Sequence, residues 1–71
     1  MRILTMSLTA VEEHLDCRIQ DPYQGPEVVP ADIVVGGTAM VAFIDHYGER
    51  YETWWITRQE DGTFSVETDA L

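Results

Sequence analysis

Two tryptophans stand side by side in YETWWITRQEDGTFSV, residues 51 to 66, and this pair constrains the fold more than any other feature. Successive side chains on a β-strand point to opposite faces of a sheet, so within a strand Trp54 and Trp55 cannot both enter one core. One belongs to the core. The other needs a different cover.

From Thr38 onward the chain reads strand, turn, strand, turn, strand, with strands at about 38–46, 50–59 and 63–69. The segment EDG at 60–62 suits a three-residue hairpin loop with Gly62 in the left-handed conformation. That loop pairs Gln59 with Thr63, Ile56 with Val66 and Trp54 with Thr68. Around HYGE, loops of two or four residues both pair Asp45 with Arg50, Val41 with Trp54 and Met40 with Trp55. One face then gathers Ala39, Val41, Phe43, Trp54, Ile56, Phe64 and Val66. The opposite face presents Met40, Ala42, Ile44, Tyr51 and Trp55, more apolar than the solvent side of an antiparallel sheet usually is. Three covers are open: the connector with Tyr23, Val28 and Val29, a second copy in an isologous dimer, or a foreign partner anchored on Tyr51 and Trp55.

Upstream, Thr9 followed by Glu12 fits a capping box that opens a helix over about 9–20, with Arg18 near its C-terminal end and Asp21-Pro22 stopping it. Leu8, Val11, Leu15 and Ile19 fall on one stripe, leaving Glu12, Glu13 and Asp16 outside. Residues 21–37 hold all three prolines and three of the five glycines, and read as a connector with one short strand at Asp32 to Val35 and a bulge or kink at Gly36-Gly37. Whether residues 2–6 form a further strand stays open. The expected fold is α+β, one N-terminal helix packed on a three- to four-stranded antiparallel meander, in one domain spanning 1–71.

Seventy-one residues bury only about 60% of the unfolded chain's surface and supply a core of about 3–5 kcal/mol. A single cysteine, Cys17, rules out an internal disulfide and fits a reducing compartment. The opening residues lack the apolar core of a signal peptide, and no run approaches a membrane span, so the expected location is cytoplasmic. Thirteen acidic side chains face four arginines and no lysine, a net charge of −9. Such a surface repels nucleic acid, whose binding draws on Lys and Arg, and is steered toward basic partners, including those whose grooves hold nucleic acid. Solubility, or adaptation to high salt, accounts for the same excess.

Chemistry-bearing residues are few. His14 and Cys17 are helix neighbours, and with His46 and Asp45 or Glu49 they are a candidate zinc set, but the spacing matches no closed zinc motif. A Cys-His dyad on a helix surface lacks a pocket and an oxyanion hole. Asp45 with Glu49, and Glu60 with Asp61, sit at turns, where carboxylates serve solubility and backbone geometry. No catalytic residue, metal site or cofactor is expected.

A short, lysine-free, acidic α+β chain resembles the small phage-encoded inhibitors of bacterial defence, anti-CRISPR proteins and other nucleic-acid mimics among them. The resemblance lies in size and composition over the whole chain, and it carries over no functional residue. It implies a non-enzymatic inhibitor, working in the host cytoplasm, that occupies a basic nucleic-acid-binding surface of a protein partner. On the sequence alone the acidic contacts are Glu12, Glu13, Asp16, Asp45, Glu49 and Glu52. Met40, Ile44, Tyr51 and Trp55 form an apolar surface for a partner or a second copy. The competing expectation is a small homo-oligomeric structural or adaptor domain whose acidity serves only solubility.

Overall fold

The computed structural model describes residues 2–69. Five strands form one antiparallel sheet, and a single helix crosses one of its faces. In chain order these are β1 (Arg2–Met6), α1 (Leu8–Asp16), β2 (Ile19–Gln20), β3 (Thr38–Ile44), β4 (Arg50–Arg58) and β5 (Phe64–Thr68). The spatial order is β1-β5-β4-β3-β2, so the expected meander β3-β4-β5 forms the centre. Two short strands extend it to five. The N-terminal RILTM becomes an edge strand on β5, pairing Leu4 with Val66, and β2 caps the other edge.

The pairings of Val41 with Trp54, Met40 with Trp55, Ile56 with Val66 and Trp54 with Thr68 are present as the alternation requires. The EDG loop closes through the Gln59 amide, which donates to the Thr63 carbonyl at 2.9 Å. Gly62, at φ +88°, supplies the left-handed residue of that loop. The core is Val11 and Leu15 from α1 against Val41, Phe43, Trp54, Ile56, Phe64 and Val66, with Ile33 from the connector completing it. Trp54 is therefore the core tryptophan, 2% exposed.

Four local expectations are corrected. The helix is capped by Ser7, whose Oγ accepts from the Ala10 amide at 3.2 Å, so Glu12 and Glu13 lie beyond the first turn and Thr9 does not cap. It ends at Asp16 because Ile19 and Gln20 leave the helix to pair with Ile44 and Phe43 of β3. Ile19, expected on the buried stripe, is 54% exposed.

The segment Asp32 to Val35 is not a strand. A single 3₁₀ turn over Pro30–Asp32 runs into a tight turn in which the Gly37 amide donates to the Val34 carbonyl at 2.8 Å. Arg58 fastens this segment, its Nη1 donating to the carbonyls of Ala31 at 3.2 Å and Ile33 at 3.0 Å. A Cβ on Gly37 would lie 2.9 Å from that same Val34 carbonyl oxygen, a backbone atom with no freedom to retreat. Gly37→Ala is expected to cost about 1–3 kcal/mol, read as a lowered urea midpoint.

The fourth correction is a β-bulge. Phe43 pairs with Glu52, but Ile44 pairs with Arg50 rather than Asp45 doing so, which leaves Tyr51 as the extra residue. Asp45 instead closes the turn. Its amide donates to the Glu49 carbonyl at 2.9 Å, and its Oδ1 accepts from the amides of Tyr47 and Glu49 at 2.9 and 3.0 Å. The bulge rotates Tyr51 off the outer face and onto the helix side, where its ring lies 6.5 Å from that of Phe43.

Candidate functional site: an acidic helix side and an open sheet face

The helix side concentrates charge because an amphipathic helix sends its polar residues away from the sheet. Glu12, Glu13 and Asp16 are all exposed. The connector folds onto this same side, where Val28 and Pro30 pack near Leu15, and it brings Glu27 with it. Glu12, Asp16 and Glu27 thus rim one shallow cleft floored by Leu15, Val28, Val29 and Pro30. Glu27 was not singled out from the sequence. Its neighbours in PEVV read only as connector, and nothing local told which face that connector covers.

Little of this charge is neutralised internally. Among the described residues one ion pair exists, Arg18 with Glu52, so twelve of the thirteen acids have no cationic partner. Arg58 spends its guanidinium on connector carbonyls. The net charge of −9 thus rests on acids that stand outside any ion pair among the described residues.

Glu52 does not belong to that surface. It shares the inner face with Trp54, two residues on, and is 8% exposed. Its Oε1 accepts from Arg18 Nη1 at 2.5 Å, and its Oε2 accepts from Trp54 Nε1 and Thr68 Oγ1, both at 2.6 Å. Burial alone raises the pKa of this carboxyl, but the hydrogen bonds from Thr68, Trp54 and Arg18, with the Arg18 charge, outweigh it and hold the group below the usual carboxylate value. The Arg18 guanidinium also lies over the rings of Phe43 and Trp54, at 5.0 and 5.1 Å.

Of the remaining candidates, Glu49 is exposed at the β3–β4 turn and Asp45, half-buried, is committed to that turn's amides. Asp61 likewise serves its own loop, where the Thr63 hydroxyl and amide hold its carboxyl below the ordinary value. His14 and Cys17 do come together, lining a cleft with Glu13, Arg18 and Tyr51, and the His14 ring lies tilted against Trp54 at 5.4 Å. His46 packs on Tyr47 at 4.0 Å in the turn. Among the described residues no group of three or more His, Cys, Asp or Glu is placed to hold a metal ion. No helix there is long and apolar enough to cross a membrane.

The outer sheet face keeps Met40, Ile44 and Trp55, as their parity requires. The strands found at the two edges add Ile3, in register with Glu67 and so with Trp55, and Ile19, paired with Ile44. Two further residues beside them, Ala42 and Thr53, are buried. The connector is not the cover. Val28, Pro30 and Ile33 go to the helix side, and Tyr23 stands 93% exposed. The second tryptophan is left half-buried on a face that, among the described residues, no helix or strand crosses. No family model, curated protein or solved structure matches the chain.

Proposed function

We propose that the protein is a non-enzymatic binding module whose acidic helix side occupies a basic, nucleic-acid-binding surface of a partner protein, in the manner of the phage-encoded anti-defence inhibitors it resembles in size and composition. The observation that carries this reading is that twelve of the thirteen acids have no ion-pair partner among the described residues, with Glu12, Asp16 and Glu27 set round an apolar floor. Lys and Arg are amphipathic, and such a cleft accepts the aliphatic stem against Leu15 and Val28 while the rim takes the charge. The partner's charged groups are those that would otherwise hold phosphates, so binding excludes nucleic acid.

Reversal of Glu12, Glu13 and Asp16 together to Lys is expected to abolish capture of a nucleic-acid-binding partner, and DNA is expected to compete with the wild type for it. Because these residues are exposed, the circular dichroism spectrum should not change. Affinity should also fall by roughly tenfold or more between about 50 and 300 mM salt, as screening removes the attraction. Capture that survives both the reversal and the salt would remove the helix side from the site. The competing reading, an oligomeric domain whose acidity serves solubility, draws on a different feature, the open sheet face.

A further inference from the structure

We infer that the free edge of β3 at residues 38–41 docks an extended, basic and apolar segment of a partner protein, which adds to the sheet as a further strand. This edge is a different surface from the helix-side acids, although Glu27 borders both.

The edge is left open by Asp21-Pro22. β2 pairs Ile19 and Gln20 with Ile44 and Phe43, and the Asp21 amide adds one bond to the Ala42 carbonyl at 2.8 Å. Pro22 then opens a 3₁₀ turn, in which the Asp21 side chain accepts from the Tyr23 amide, and the chain leaves the sheet. Residues 38–41 of β3 lie beyond that point and pair with β4 alone.

Parity fixes which main-chain groups face outward. The Thr53 carbonyl accepts from the Asp69 amide on the β5 side, and the Ala42 carbonyl from Asp21 on the β2 side, so Ala42 and Thr53 are in register without exchanging main-chain bonds. Met40 opposite Trp55 and Thr38 opposite Thr57 repeat that kind of pair. The hydroxyls of Thr38 and Thr57, 2.8 Å apart, fit its closer spacing. Thr38 and Met40 therefore turn their amides and carbonyls away from β4, and among the described residues no hydrogen-bond partner meets them there. Charged side chains or proline commonly blunt such an edge, and TAMV holds neither.

The surroundings select the occupant. Between the edge and the connector lies a groove walled by Val29, Ile33 and Val34, with Glu27 and Asp32 in its lining. Val29 and Val34 are 46% and 72% exposed, and Met40, on the opposite face of the strand, is 43% exposed. An added strand sends alternate side chains to the two faces, so it covers the valines on one side and Met40 on the other. Neither Glu27 nor Asp32 has an ion-pair partner among the described residues, and Arg58, which fastens this connector, is committed to the carbonyls of Ala31 and Ile33. Lysine or arginine stems fit against the valines with their charges at the two acids. A second copy of the chain, at net charge −9, is repelled from the same place.

The probe is a capped seven-residue peptide of alternating lysine and valine, titrated into isotope-labelled protein and followed by NMR. Saturable binding at roughly 100 μM or tighter is expected. Amide exchange should slow by about tenfold or more at Thr38 and Met40, and much less at Ala39 and Val41, whose amides face β4. The same peptide with every main-chain amide methylated keeps its charge and should bind about tenfold more weakly or worse. Asp32→Lys with Val34→Lys, both at exposed positions, should weaken binding by about tenfold or more. Glu12→Lys, Glu13→Lys and Asp16→Lys together should weaken it less, although they change the net charge more. Met40→Pro, which removes an outward amide and none from the β4 ladder, replaces the double variant if that fails to fold. Equal binding of the methylated peptide, or binding lost only in the helix triple, assigns the attraction to charge alone and overturns the inference. So does a lack of saturation up to about 1 mM. Protection of Thr38 and Met40 that grows with protein concentration in the absence of peptide gives the edge to a second copy, and overturns it too. Competition with DNA reads the helix side independently of all these results.

Discussion

Trp54→Ala should leave little folded protein at 25 °C, while Trp55→Ala in the next position should lower stability by only about 1 kcal/mol. Truncating a fully buried tryptophan removes its contacts and leaves a cavity, costing about 3–5 kcal/mol. A chain of 71 residues has a core that supplies only about 3–5 kcal/mol, so the loss is comparable to the whole margin. More than packing is lost. The indole is edge-on to Phe43 at 5.3 Å, carries the Arg18 guanidinium and His14 on its surfaces, and donates Nε1 to Glu52. Urea unfolding of both variants under dilute, monomeric conditions checks the contrast. Similar midpoints for the two would mean that the parity of β4 is misassigned.

The second large effect concerns Glu52. Removing it by Glu52→Ala leaves Arg18, the Trp54 indole N–H and the Thr68 hydroxyl without their shared acceptor. Breaking a buried pair at one partner costs about 3–5 kcal/mol. The low end applies, since the Arg18 side chain is 26% exposed and water can reach it.

The pH dependence follows from the direction of the pKa shift. A carboxyl whose folded pKa lies below its unfolded value contributes its full stabilisation above the unfolded value, about 4.3 for glutamate, and loses it as pH falls through the folded one. The stability difference between wild type and Glu52→Gln should therefore be constant from neutral pH to about 5 and shrink below about 4.3. Taking the difference matters. Protonating the many exposed acids relieves their mutual repulsion and pushes the stability of both proteins the other way. A difference that grew on acidification would show that burial, not the three donors, dominates the carboxyl.

The reading of the strands from sequence succeeded where alternation and turn chemistry agree, at Val41 with Trp54 and across the EDG loop to Val66. It failed where an isolated pattern admits two answers. Ile19 lies four residues after Leu15, which suits a helix stripe, yet as a β-branched residue it suits a ladder equally, and pairing with Ile44 decided the matter. Ser7 and Thr9 are both competent caps, and the end of β1 at Met6 selects the earlier one.

Tyr51 was misplaced because a bulge leaves no mark in an apolar alternation. Glu52 is more instructive. Its parity with Trp54 and Ile56 already pointed inward, and polarity alone argued for solvent. The donors that make burial tolerable come from Arg18 and Thr68, distant in sequence and invisible to any local window.

These assignments separate the molecule into a helix side that is acidic, with Glu12, Glu13, Asp16 and Glu27, and an outer sheet side that carries the apolar Met40, Ile44 and Trp55. The separation gives the proposed activity a specific location rather than a diffuse charge. It also sets the comparison that tests it most directly.

Two triple variants change net charge equally: Glu12→Lys, Glu13→Lys and Asp16→Lys on the helix, and Glu49→Lys, Glu60→Lys and Asp61→Lys at the turns. Their binding to the DNA-competed partner is measured beside the wild type at one salt concentration. A helix-side site predicts a loss of about 100-fold or more for the first triple and less than about tenfold for the second. Equal losses would contradict it, showing that net charge alone, and no particular face, governs the interaction.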